Sequence, residues 1–249
     1  MRSVRALIGL VSLAATTALG CALFFGPDNT LVPGNEGAPG VKRFLVCAPN
    51  TVIALPAELV AVTRPLRDQI DAYLRFQGRE AQWIDLYESR RLWGQAMTAA
   101  KAQGALEKTP AFFAKELDEL YDFDAIVMPS VVLHKATGTG GTARWDGVER
   151  HMRVLNAPRR DPGTMTIEFG GLDGDLMVTS VHVLVFSRGG ERVFEGRGGI
   201  ELIHEIDLAA FKKKKNLDVR VREDLGRDVD ALREGIAIAF DPYLPPPEE

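Results

Sequence analysis

Ala125-Ile126-Val127-Met128-Pro129-Ser130-Val131-Val132-Leu133 is the clearest strand in the first half of the chain, and the other elements fall into order around it. Upstream, Arg43 to Ala48 is a short apolar run suited to a strand buried on both faces, with Asn50 to Pro56 as a candidate extension. Thr63 is a candidate N-cap for a helix in which Leu66, Ile70, Tyr73 and Leu74 recur at helical spacing until Gly78. Ala81 to Leu86 reads as a second strand. Glu88 to Gln103 reads as a second helix, and Thr109-Pro110 opens a third with Phe113, Leu117, Leu120 and Tyr121 as its stripe. Strand and helix thus alternate up to Leu133, which predicts parallel pairing through crossover helices.

Downstream the character changes. Gly138 to Thr142 reads as a loop, Ala143 to Val154 as a strand, and Asn156 to Gly163 as turns. Met165 to Phe169, Leu176 to Phe186 and Arg192 to Ile203 are strand candidates, separated by the hairpin signals Asp173-Gly174 and Arg188-Gly189-Gly190. A last helix is predicted from about Val221 to Phe240, with Val221, Leu225, Val229, Leu232, Ile236 and Phe240 on one face. Asp241 to Pro247 then forms an extended tail. The expected fold is α/β: a mixed sheet with helices on both faces, parallel in its first half and antiparallel and hairpin-rich in its second.

The N-terminus sets the address. Arg2 and Arg5 precede an apolar run from Ala6 to Ala15 that closes on Ala18-Leu19-Gly20-Cys21, the pattern of a secretory signal. Gly20-Cys21 resembles the end of a bacterial lipobox, with cleavage after Gly20 and lipidation of Cys21, although Ala18 and Leu19 exchange the usual order. Two alternatives stay open: plain signal cleavage, and retention as an anchor, since no charge occurs between Arg5 and Asp28. Residues 21–41, with their Gly, Pro and Asn, read as lipidated Cys and flexible tether, 42–241 as a single domain, and 242–249 as a Pro-rich tail. Ala22 after the cysteine points, by analogy with enterobacterial sorting, to the periplasmic face of the outer membrane.

Thirty basic against 34 acidic residues give a net charge of −4, made more negative by loss of Arg2 and Arg5 with the signal. Nucleic acid is therefore a poor partner. With Cys21 acylated, Cys47 stands alone in an apolar run, a core residue with no disulfide partner.

Chemistry is sparse. His182 and His204 lie on candidate neighbouring strands, but His134, His151, His182 and His204 show no metal-ligand spacing, so no metal is expected. Gly138 to Gly141 lacks the Gly-Lys-Ser/Thr ending of a phosphate loop, and no nucleophile elbow is present, so no cofactor and no catalytic residue are assigned. Glu116, Asp118, Glu119, Asp122 and Asp124 read as a solvated helix face, and Lys212 to Lys215 as an exposed loop. Trp145 and Asp146, beside a turn, are the candidate partner contact.

The order of elements from Val41 to Phe240, with Asp122-Phe123-Asp124-Ala125-Ile126-Val127-Met128-Pro129 running into a strand, resembles the periplasmic lipoproteins related to the curli-secretion lipoprotein and the amino-terminal domain of the Tol translocation protein. That resemblance implies an assembly or secretion component rather than an enzyme; with no long amphipathic hairpin evident, it carries no pore. The expected function is a lipid-anchored, periplasm-facing binding or assembly component, with the membrane and envelope proteins as partners. The alternative is a periplasmic hydrolase with a dispersed site.

Overall fold

The computed structural model describes residues 29–155, 174–207 and 218–246. The expected signal with Gly20 and Cys21, the turns expected at Asn156 to Gly163, the strand expected at Met165 to Phe169, Asp173 and Lys212 to Lys215 lie outside them. Among the described residues, eleven strands and four helices make two open sheets, and the mixed α/β expectation holds.

Strand β2 (Arg43–Val46) is central to the parallel half. Its side chains alternate between two cores, as the pleat requires. Phe44 and Val46 pack with Leu66, Ile70 and Leu74 of helix α1 (Thr63–Phe76). Leu45 and Cys47 pack with Leu92 and Ala96 of α2 (Leu86–Ala102) and with Phe113 and Leu117 of α3 (Thr109–Asp118). The crossovers therefore cover opposite faces. The chain runs through α1 to β3 (Glu80–Trp83) on one side of β2, and through α2 and α3 to β4 (Ala125–Thr139) on the other, both parallel to it.

The antiparallel half is dominated by β4 and β8 (Gly174–Ser187), paired from Ala125↔Ser187 to Gly138↔Gly174. Strand β9 (Arg192–Leu202) follows, and β1 (Thr30–Leu31) closes that side, so the main order is β1-β9-β8-β4-β2-β3. Hairpin β5 (Thr142–Trp145) and β6 (Val148–His151) folds off the end of β4. A small sheet joins β7 (Arg153–Leu155), β10 (His204–Asp207) and β11 (Asp218–Val221). Helix α4 (Val229–Phe240) lies beside α1 on the same face. No described helix is long and apolar enough to cross a membrane.

Several sequence expectations are corrected. Asn50 does not extend β2. It takes a left-handed backbone (φ 59°), and its side chain bridges to β4, donating to Val131 O and accepting from Val131 N at 3.0 Å each. Thr63 does not cap α1, because a 3₁₀ turn over Ala57–Val62 runs straight into the helix and Thr63 Oγ1 donates back to Val60 O at 2.9 Å. Ile84 ends the second strand's pairing, and Asp85 caps α2, accepting from Glu88 N at 2.8 Å. The expected loop at 138–142 is a tight hairpin turn. The single strand expected over 143–154 is three. The last helix begins at Val229 rather than Val221, capped by Asp228, while Asp218–Val221 is strand.

Two expected appendages belong to the fold. In the expected tether, Asn29 Oδ1 accepts from Arg197 N at 2.6 Å, β1 pairs with β9, and Ala38 is buried with its N–H donated to Tyr243 O at 3.0 Å. In the expected tail, Tyr243 stacks on Phe194 with ring centroids 5.4 Å apart, and Leu244 O accepts from the Tyr73 hydroxyl at 2.6 Å. The domain boundary at Lys42 is thus too late and that at Asp241 too early.

Candidate functional site

The β5–β6 hairpin turns through Asp146-Gly147, both at positive φ, the conformation that Asp-Gly favours in a two-residue hairpin. Trp145 is not a partner contact. It is 5% exposed, and its Nε1 donates to Thr179 O at 3.1 Å. The indole stacks against the sheet at Gly199, where a Cβ would meet Trp145 Nε1 at 2.8 Å. Asp146 points into the same interface: its Oδ2 accepts from Ser180 Oγ at 2.6 Å and lies 3.1 Å from His134 Nε2. Burial raises its pKa, but the hydrogen bonds from His134 and Ser180 outweigh that and hold the carboxyl below its ordinary value.

Serine, histidine and aspartate together invite a nucleophile reading, and the geometry opposes it. Ser180 is 0% exposed and gives its proton directly to Asp146. His134 reaches both partners through the same nitrogen, Nε2, 2.9 Å from Ser180 Oγ. A relay needs one imidazole nitrogen on the serine and the other on the acid. This cluster instead fastens the hairpin to the sheet.

The histidines do not converge. His182 on β8 meets Glu195 at 3.0 Å, His151 Nδ1 meets Thr142 Oγ1 at 2.7 Å, and His204 belongs to the small sheet. Burial lowers the pKa of both His182 and His204. Among the described residues no group of His, Cys, Asp and Glu is placed to hold a metal. Burial pushes the Cys47 thiol up to about 12, the opposite of what a nucleophile needs. Of the acids on and after α3, Glu116, Asp118, Glu119 and Asp122 are exposed as expected and Asp124 is half-buried; Asp122 and Asp124 pair with Arg43, and Asp118 with Arg188 at 2.6 Å, tying that segment to β2 and to the β8–β9 turn.

A roomier opening lies elsewhere. A cleft of about 950 Å³ runs between α1 and β3, the last strand of the large sheet. Glu80 N and Ile84 N donate inward to Lys42 O and Val46 O at 2.9 and 3.0 Å. By the alternation of a parallel ladder, the N–H and C=O groups of Ala81 and Trp83 then face outward. Trp83 is the floor. Arg67 lies 5.0 Å above its ring, and its Nε1 donates to Asp71 Oδ1 at 3.3 Å. Asp71 also holds Arg75 at 3.0 Å, and Asp85 is used as a helix cap, so two of the cleft's three acids are already engaged. Arg64 and Arg67 line it with no carboxylate partner among the described residues. Exposed Val60 and Leu86 add apolar rims.

None of these cleft residues was singled out from sequence. Arg64 and Arg67 share a helix face one turn apart, and Trp83 ends a strand whose pattern alternates, but only the placement of β4 on the far side of β2 makes β3 an edge. Compared with protein-family models, with curated proteins and with solved structures, the chain finds no match.

Proposed function

We propose that this protein is a lipid-anchored, periplasm-facing component of the bacterial outer membrane that works by binding, taking an extended, carboxylate-bearing segment of an envelope partner along the β3 edge. The observation that carries this reading is the open edge itself: outward backbone groups at Ala81 and Trp83 beside a cleft of about 950 Å³. An added strand gains affinity from main-chain hydrogen bonds and selectivity from the flanking side chains. Arg64 and Arg67 supply the selectivity, since guanidinium groups without acidic partners favour carboxylates. The expected signal ending at Gly20, just before Cys21, supports the address, and the resemblance to secretion and translocation lipoproteins supports an assembly role.

The test is a photo-crosslinking side chain at Gln82, on β3, and at Gln95, on α2, in cells. The expected result is a discrete adduct with one envelope protein from position 82 only, lost on Ala81→Pro, which removes an outward N–H and no ladder bond. Equal labelling from both positions, or an adduct that survives Ala81→Pro, sinks the proposal.

A further inference from the structure

The outer side of α1 and α4 carries a second cleft, about 420 Å³, walled by Ala72, Tyr73, Phe76, Ile236, Ala237 and Pro246. It is apolar, and Phe76 beside it is 74% exposed. An apolar recess beside an exposed aromatic ring is a candidate contact surface. The chain's own entry point indicates what lies against it. Asn29 is pinned at the end of α4, its Nδ2 donating to Ile238 O at 2.6 Å and to Asp241 O at 2.7 Å. Ile238 lies in the last turn of α4, the helix whose Ile236 and Ala237 wall the cleft, so the chain joins the fold at the C-terminal end of that helix.

The span from Cys21 to Asn29 reaches at most about 28 Å when fully extended. A chain of this size measures roughly 40 Å across. An acylated Cys21 on a leash shorter than the domain's width keeps the Asn29 side toward the bilayer. Leu23, Phe24 and Phe25 make that leash apolar too. We infer that the outer face of α1 and α4 rests on the lipid surface, with Phe76 in the interfacial layer and Arg233, which lines the cleft, among the headgroups. The inference rests on the acyl anchor of the proposed function. Helices α2 and α3, on the opposite sheet face, then point away from the bilayer, and the β3 edge opens sideways.

The test uses full-length acylated protein on phosphatidylethanolamine–phosphatidylglycerol vesicles, some with brominated acyl chains. Phe76→Cys and Met97→Cys, the latter on α2, are each labelled with a thiol-reactive fluorophore; Cys47 is buried and does not compete. Brominated lipid is expected to quench most of the emission at position 76 and none at 97. No quenching at 76 while the protein still sediments with vesicles overturns this orientation and leaves the anchor standing, including the case in which residues 23–25 themselves fill the cleft. Sedimentation lost in Cys21→Ser supports the anchor. Wild-type protein that fails to sediment overturns both.

Discussion

Asp124 and His182 are titratable groups that the fold shifts in the same direction for opposite reasons. The backbone N–H groups of Arg43 and Lys42, each 2.9 Å from Asp124 Oδ2, pull that carboxyl from 3.8 to about 2 by favouring its charged form. Burial lowers the His182 pKa from 6.5 by penalising its charged form. In both cases the unfolded chain binds the proton more readily, so stability falls as pH falls, but in different windows. For His182 the loss begins below about 6.5; for Asp124 it runs from about 3.8 down to about 2. Urea unfolding across pH is therefore expected to show two descending limbs on acidification. His182→Gln should make the first shallower, the remainder belonging to His204, and leave the second. Asp124→Asn should make the second shallower, the remainder belonging to carboxyls such as Asp146 that the fold also lowers, and cost about 1 kcal/mol at neutral pH, the scale of a charge-assisted bond discounted for partial exposure. A single limb, or limbs unmoved by these substitutions, contradicts the assignment. Neither role is legible in sequence. His182 sits in an apolar run whatever its partner is, and Asp124 earns its backbone donors only because β2, far upstream, pairs with β4.

At the scale of elements, helix α4 meets β9 backbone to backbone. A Cβ on Gly198 would lie 1.9 Å from Gly235 O, and one on Gly196 would lie 2.2 Å from Ala239 O. Glycine is needed there for space, not for backbone freedom. Gly198→Ala is expected to destabilise by about 3 kcal/mol, because the helix must lift from a packed sheet. Gly189→Ala, in the β8–β9 turn with only Ser187 Oγ at 3.8 Å, should change stability by less than about 0.5 kcal/mol. Equal urea midpoints for the two variants would mean that α4 does not press on β9. Elements with a strong local period were legible: α1, α2, α3, β4, β8 and β9 lie close to where the residues put them. The start of α4 was not. Val221, Leu225 and Val229 keep a helical spacing, but Val221 is claimed by pairing with His204, and Gly226, whose N–H donates to Glu201 Oε1 at 2.6 Å, breaks the run before Asp228 caps the true first turn. Long-range pairing overrode a local period.

Across the whole molecule, the large sheet has one protected edge and one open edge, and the difference comes from a segment that composition marks as a tether. Pro, Gly and Asn between residues 29 and 41 read as solvated chain, yet here they make turns in a wrapped segment: Gly37, at φ 89°, passes so close to the Tyr243 carbonyl that a Cβ would lie 2.9 Å from its oxygen. The segment lays β1 on β9, donates Val32 N to Val193 O at 3.1 Å and roofs the 243–244 strap. Nothing equivalent covers β3 among the described residues, which is why the candidate site lies there and why it is invisible to local patterning. The contrast can be tested by comparing chains without the anchor that begin at Asn29 and at Lys42. The first is expected to stay soluble and unfold cooperatively. The second loses the Asn29, Val32 and Ala38 hydrogen bonds, at about 1 kcal/mol each, and uncovers the β9 edge. It should be less stable by about 3 to 5 kcal/mol and should self-associate on size-exclusion chromatography through the uncovered β9 edge. If both chains unfold at the same urea concentration and elute alike, residues 29–41 contribute nothing to the fold and the boundary belongs at Lys42 after all.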